Sequence, residues 1–298
     1  MRTSIALKVG VIAALLALAL TSTASAAIPG YQRIVKILPA PNVSDSTQFL
    51  GRHCPRTKQS LGGGAEVTYG SPGGAPFGQI VLNRLVPGVF DAERDGVTVR
   101  GFEDQDGTPL NWGLTTQVIC ALPLDGDELL PFIRPANDSA PLGYKRIDDS
   151  DAHCSAGKKL VGFGAEITDG FGPSPDGEVI IDDLTPNSSL TGVSVTAFED
   201  LDGTDAYWGI AAWIRCADPL PGLQLVASTT FHNSFWYKQA IATCPAGKKM
   251  LAAGGDLTRG SDQGGDISGG NGGALMDNIR LDGGLLGDDA TVVARTAS

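Results

Sequence analysis

The sequence predicts an all-β protein made of three related antiparallel β units, arranged either as a β-prism or as tandem β-sandwiches. Three observations predict this fold class. A stretch that follows a cysteine occurs three times, at intervals of about 90 to 100 residues. Apolar and polar residues alternate within that stretch, which is typical of a half-buried strand. The 40 glycines and 18 prolines indicate a chain rich in turns.

The repeated stretch lies just after Cys54, Cys154 and Cys244. It is KQSLGGGAEVT in the first copy, KKLVGFGAEIT in the second and KKMLAAGGDLT in the third. A period of this length is too long for a solenoid repeat and fits a small domain or a sheet of several strands.

We therefore divide the chain into three units, residues 27–125, 126–221 and 222–298. The first two units end in matching segments, in which a Trp-Gly pair is followed by a cysteine: Trp112 to Cys120 and Trp208 to Cys216. The third unit stops before such a segment. We expect it to be incomplete at its C-terminal end or to close in another way.

Residues 1–26 are predicted to be a secretory signal peptide. Arg2 and Lys8 flank the start of an apolar run, and Ala24-Ser25-Ala26 supplies small residues for cleavage. No apolar run is long enough to predict a membrane span in the mature chain. The net charge of −11 argues against nucleic acid as a partner. We expect a secreted, extracellular protein.

Alternation divides the repeated stretch of the second unit into two faces. The apolar face is predicted to lie in the core, and the other face is left for a function. The apolar face consists of Val161, Phe163, Ala165 and Ile167, and the other face of Gly162, Gly164, Glu166 and Thr168. Asp-Gly pairs at 106–107 and 202–203 predict a hairpin turn between the last two strands of a unit. The tryptophans that follow, Trp112 and Trp208, are predicted to be core residues.

The five cysteines cannot all pair within one chain. Repeat symmetry predicts two disulfides, Cys54–Cys120 and Cys154–Cys216, each joining the first and last strands of its unit. Cys244 has no counterpart of Cys120 in its own unit. We expect it to stay outside the intrachain disulfides or to form an intermolecular one.

The run Cys-Pro-Ala-Gly-Lys-Lys at 244–249 and the Gly-rich run at 61–66 resemble a repeat of secreted bacterial proteins of unassigned function. A weaker resemblance is to the vitelline membrane outer layer protein family. It depends on the Cys-Pro-x-Gly stretch and on Asn278-Ile-Arg-Leu281. The second resemblance implies a β-prism of three sheets around a pseudo-threefold axis. The period and cysteine spacing of this chain differ from that family, so tandem β-sandwiches stay open.

Acidic residues recur on the glycine-bearing face and are candidate ligand-binding residues. With the threonines beside them they are Glu66, Thr68, Glu166, Thr168, Asp256 and Thr258. Their carboxylates are suited to accept hydrogen bonds from sugar hydroxyls. The alternative is an exposed acid paired with Lys58, Lys158 or Lys248, which contributes little. Three aromatic residues without counterparts in the first unit are candidate stacking surfaces: Trp213, Trp236 and Tyr237.

A second group of acids clusters around the two Asp-Gly turns. Its members are Glu103, Asp104 and Asp106 in the first unit, and Glu199, Asp200 and Asp202 in the second. They form either a solvated turn or a weak extracellular calcium site. No other cofactor is predicted.

Two functions remain open on the sequence. One is a non-catalytic binding or structural module for a surface glycan, a cell-surface polymer or a protein. The other is a secreted, glycosidase-like hydrolase that uses the strand-face or turn carboxylates. A catalytic site usually breaks internal symmetry, whereas these acids recur, so the first function is favoured.

Overall fold

A computed structural model describes residues 28–38, 46–69, 79–91, 94–104, 107–136, 143–170, 177–200, 203–231, 237–257, 274–284 and 287–296. The predicted signal peptide, Asp106, Asp202, Trp236 and Thr258 lie outside these residues. The described residues form strands and turns without a helix, which confirms the all-β prediction. They contain no helix that is long and apolar enough to cross a membrane.

Sixteen strands are present in the described part of the chain. The first unit has β1 (Gln32–Leu38), β2 (Thr47–His53), β3 (Gln59–Tyr69), β4 (Ile80–Asp91), β5 (Arg94–Glu103) and β6 (Trp112–Ala121). The second has β7 (Glu128–Arg134), β8 (Tyr144–Ile147), β9 (Lys159–Asp169), β10 (Val179–Pro186), β11 (Val193–Glu199) and β12 (Trp208–Ala217). The third has β13 (Tyr237–Thr243), β14 (Gly255–Asp256), β15 (Ala274–Gly284) and β16 (Gly287–Thr296).

The strands form three sheets, and all of their pairings are antiparallel. The first sheet has the order β1-β6-β3-β15-β16-β13, the second β2-β5-β4-β9-β12-β7 and the third β14-β10-β11-β8. Each sheet joins strands of two units. The joining pairs are β3 with β15, β9 with β4 and β14 with β10.

This sharing is cyclic, because each unit gives strands to two sheets and each pair of units shares one sheet. Three sequential β-sandwiches would instead keep their sheets within units. The arrangement is that of a β-prism, and one apolar cluster with residues of all three units fills its interior. Trp112 and Trp208 lie in this core with no exposed surface, as predicted.

The glycines of the repeated stretch are needed because neighbouring units pass close to them. A Cβ atom on Gly162 would overlap the backbone carbonyl of Leu61, and one on Gly164 would overlap the carbonyl of Leu85. Gly254 has the same relation to the Leu184 carbonyl. Glycine in a strand often marks such an approach of another backbone. The glycine-bearing face is therefore covered over part of its length by the preceding unit.

We expect Gly162→Ala to destabilise the protein by about 3 kcal/mol, at the upper end of the range for overpacking, because the clash is with backbone. Chemical denaturation would measure the loss. The matched control is Ala252→Gly, since Ala252 is the counterpart of Gly162 in the third unit and already carries a methyl group. This change should cost only about 0.5–1 kcal/mol, the usual backbone-entropy penalty when glycine replaces alanine. Equal losses in the two variants would contradict the steric explanation.

The Asp-Gly turns do not form hairpins, so that prediction is wrong. β5 and β6 belong to different sheets, as do β11 and β12. Gly107 and Gly203 still adopt positive φ values of 64° and 70°. Each turn carries the chain from one sheet to the next, and the hairpins that pair consecutive strands are β4–β5, β10–β11 and β15–β16.

The disulfide predictions are confirmed. Cys54 is bonded to Cys120 and Cys154 to Cys216, while Cys244 belongs to no disulfide. Two disulfides are consistent with an extracellular protein.

Candidate functional site

The outer face of the second sheet brings several predicted site residues together. One row of directly opposed residues crosses all six strands of this sheet, and we call it the acid row. From β7 to β2 it contains Ile133, Ala211, Glu166, Arg84, Arg100 and Phe49. Directly opposed residues of antiparallel strands share a face. The ends of the acid row are apolar and exposed, with Ile133 at 61% and Phe49 at 51%.

Glu166 lies in the middle of the acid row and is 8% exposed. One carboxylate oxygen accepts a hydrogen bond from the indole Nε1–H of Trp213, at 2.8 Å. The other accepts from the guanidinium of Arg84. Both oxygens are thus occupied by protein donors, and the carboxylate fixes the orientation of the Trp213 ring.

Trp213 lies one row away from Glu166 and is partly exposed. Its directly opposed residues are Gly164 on β9 and Pro131 on β7, and Pro131 is exposed. With Ile133, these side chains form an apolar patch at the β12–β7 edge, which we call the Trp213 patch. Thr168, two residues beyond Glu166 on the same strand, is partly exposed and lies one row farther from Trp213 than Glu166 does.

The equivalent row of the first sheet has different chemistry. Glu66 pairs with Arg280, the two atoms Oε1 and Nη1 being 3.2 Å apart. The position of Trp213 is taken by Gln117, whose Oε1 accepts the backbone N–H of Leu281. Thr68 is partly exposed beside Glu66. No aromatic residue replaces Trp213 here.

In the third sheet, Asp256 is exposed and lies opposite Asp183. The acids of the three units therefore share a position but not an environment. Tyr237 lies at an edge of the first sheet, away from these acids, and its hydroxyl donates to Gln239.

The suggested pairing of these acids with lysines is not what the structure has. Lys58 donates to Gln32, Lys158 to Glu128 and Lys248 to the carbonyl of Gly222. Each lysine therefore links its loop to the N-terminal segment of its own unit by a hydrogen bond. Arginines from the neighbouring unit pair with Glu66 and Glu166 instead.

The turn acids have structural partners. Glu103 accepts the indole N–H of buried Trp112 at 2.9 Å, and Glu199 accepts that of Trp208 at 2.8 Å. Asp104 and Asp200 each accept a backbone N–H within their turn, from Gly107 and Gly203. Among the described residues, no group of three or more His, Cys, Asp or Glu side chains could hold a metal ion.

We expect Glu199→Leu to destabilise the protein by about 1–3 kcal/mol, because the buried indole N–H of Trp208 loses its acceptor. Urea unfolding would measure the difference. Glu199→Gln keeps a carbonyl oxygen in reach of the indole and should lose less than half as much. Equal losses would mean that the charge, rather than the hydrogen bond, stabilises the turn.

Sequence reasoning missed Arg84, Arg100, Ile133 and Phe49. The counterparts of Arg84 in the other units are Asp183 and Asn278, so repeat alignment gave no signal for it. The exposed apolar residues at the edges carry a weak signal, since they interrupt the polar face of an alternating strand.

No protein-family model and no curated protein matches this chain. One solved structure to which it is similar is the major capsid protein P2 of bacteriophage PM2. That likeness has 8% sequence identity and a TM-score of 0.23, and it covers 64% of this chain and 99% of the capsid protein. A similarity of this size carries no argument about function.

Proposed function

We propose that this chain is a secreted, non-catalytic β-repeat protein that binds a surface polymer, in the first instance a glycan, through the outer face of the second sheet. The predicted signal peptide and the two disulfides support secretion. The observation that carries the binding function is the Trp213 patch, in which a buried carboxylate holds the indole while part of the ring stays exposed.

A fixed aromatic ring flanked by polar groups suits a sugar, because the ring contacts the apolar face of the sugar and the neighbours bond its hydroxyls. Trp213 would supply the ring. Arg84, with 27% of its side chain exposed, would supply donors next to Glu166, and Thr168 would supply a hydroxyl one row beyond Glu166. Glu166 acts as a positioning residue, since both of its oxygens are already used.

The same contacts weigh against a hydrolase. Catalytic carboxylates must be able to exchange a proton with substrate or attack it. Glu66 and Glu166 are paired with arginines, and Glu103 and Glu199 accept indole N–H groups. The other two sheets lack a counterpart of Trp213 among the described residues, so we propose one binding face rather than three.

Glycan-array binding followed by titration calorimetry tests the proposal. Trp213→Gln should weaken binding at least about tenfold, in line with loss of an aromatic anchor, and the fold should tolerate it because Gln117 occupies the same position in the first unit. Phe231→Ala is the matched control, since it removes an aromatic residue that is 88% exposed elsewhere.

Binding that survives Trp213→Gln would refute the proposed face. Turnover of a polysaccharide that Glu166→Gln abolishes would refute the non-catalytic function.

A further inference from the structure

Among the described residues, the third sheet lacks a central strand that the other two sheets possess. In the first sheet, β6 pairs along its length with β1 on one side and β3 on the other. In the second sheet, β12 pairs in the same way with β7 and β9. The third sheet ends at β14, and no strand of the described residues takes the corresponding place.

The outer neighbour of this place corresponds to β1 in the first sheet and to β7 in the second. In the third sheet the corresponding segment is anchored in the same way, but it is not a strand. It comprises residues 223–231 and follows Gly222, as β1 follows Gly30 and β7 follows Gly126. The three glycines share a positive φ of 73°, 68° and 67°. Lys248 donates to the carbonyl of Gly222 at 2.6 Å, the counterpart of the lysine contacts that hold β1 and β7.

The segment on the inner side of this place, residues 249–257, is also mostly without strand structure. β3 and β9 have 11 residues each, whereas β14 has only two. The preceding residues nevertheless enter the core, since Met250, Leu251 and Ala253 are 5%, 9% and 7% exposed. Both flanking segments therefore lie where strands lie in the other two sheets. In the described part of the chain, no strand lies between them.

A cavity lies beside residues 223–227, and its lining is mixed: Leu190, Leu220, Leu223 and Leu225 are apolar, and Lys159, Ser189 and Gln224 are polar. At the corresponding place in the second sheet, Arg215 of β12 extends between Asp95 and Asp127. Thr191 and Leu223 replace these two acids in the third sheet. A residue that enters here from an added strand would meet neither of the two carboxylates that Arg215 contacts.

We propose that the third sheet accepts an extended strand of a partner polypeptide between residues 223–231 and 249–257. The inserted strand would add backbone hydrogen bonds on both edges, as in other cases of strand addition to a sheet. Its chemistry follows from β6 and β12: a Trp-Gly start, apolar residues at alternate positions, and a cysteine in the ninth position that can pair with Cys244. The strands of this type within the described chain already occupy the first and second sheets.

The proposal also predicts which of two strand sequences fits better. A copy of β6 places the equivalent of Ile119 against Thr191 and Leu223. A copy of β12 would place an arginine there without counterparts of Asp95 and Asp127, which is costly for a buried charge. The β6 sequence should therefore bind at least about tenfold more tightly.

The test uses the full chain and a synthetic peptide that copies Trp112–Ala121, mixed in a glutathione redox buffer. Amide hydrogen exchange of 223–231 and 249–257 should slow by at least roughly tenfold, because both segments gain backbone hydrogen bonds. Intact-mass measurement should show a disulfide between the peptide and Cys244. The Cys244→Ser chain should keep the exchange protection at saturating peptide, since the strand pairing does not require the disulfide.

A peptide with proline in place of the residue equivalent to Thr116 is the control, because proline removes a ladder hydrogen bond and clashes in a central strand. It should neither slow exchange nor react faster than glutathione. Unchanged exchange of both segments with the β6 peptide would overturn the proposal. If the proline peptide formed the disulfide with Cys244 as readily as the β6 peptide, the proposal would also be overturned, because the reaction would then require no strand pairing.

Discussion

Replacing Arg215 with isoleucine should lower the free energy of unfolding by about 3 kcal/mol, the lower end of the usual cost of removing one partner of a buried ion pair, because the two carboxylates are partly exposed to solvent. Arg215 is 3% exposed and lies at the junction of the first two units. Its Nη2 donates to Asp95 Oδ2 at 2.5 Å, and its Nε lies 3.6 Å from Asp127 Oδ1. Thermal and urea unfolding would both measure the loss.

The carboxylates left behind account for most of this cost. Asp95 also accepts the hydroxyl of Ser60, and Asp127 accepts the amide of Gln59. Burial raises the pKa of Asp127, and the Arg215 guanidinium opposes that effect. Without the arginine, the network retains both acids and loses the cation that contacts them both.

The shape of the new side chain is not the problem, because Ile119 stands at the same position in β6. The double variant Arg215→Ile with Asp95→Thr provides the matched control, since Thr191 is the counterpart of Asp95 in the second unit. It should recover more than half of the lost stability. A double variant as unstable as Arg215→Ile alone would show that the loss comes from packing rather than from an uncompensated charge.

The core and the strands followed from local sequence because alternation is a local property. Val161, Phe163 and Ile167 are buried as their spacing predicts. The repeat also identified both disulfides, since equivalent strands must place their cysteines alike. These predictions needed no knowledge of which strands pair.

The sharing of sheets between units did not follow from the sequence. Equivalent strands look alike whether they pair within a unit or with the next one. The sequence therefore predicts hairpins at the Asp-Gly turns, although these turns connect different sheets. The partners of the acids were missed for the same reason. Arg84 and Glu166 are 82 residues apart, and only the cyclic order of the units brings them together.

The glycines show how a correct local observation led to an incomplete interpretation. Gly162 and Gly164 lie on a face that the unit's own core does not explain, which favoured a ligand site. The structure fills much of that face with backbone of the preceding unit. What remains for a ligand is the outer part of the same strand, where Glu166 bonds Trp213 and Thr168 lies one row farther along.

Removing the Cys54–Cys120 disulfide by alanine substitution of both residues should destabilise the protein by about 4 kcal/mol, and removing Cys154–Cys216 should cost nearly the same. The bridges span 66 and 62 residues. Loop-closure entropy depends on the logarithm of that length, so the two losses should differ by less than about 0.2 kcal/mol. Guanidinium unfolding of the two variants under identical conditions would measure the difference.

Cys244→Ala is the control, because this thiol closes no loop, and it should change stability by less than about 1 kcal/mol. A markedly greater loss for the Cys154–Cys216 pair would contradict an entropic origin. Cys216 is adjacent to Arg215 in β12, so release of that strand end would also disturb the ion pair with Asp95. Equal losses would instead mean that each disulfide acts within its own unit, while the contacts between units hold the prism together independently of it.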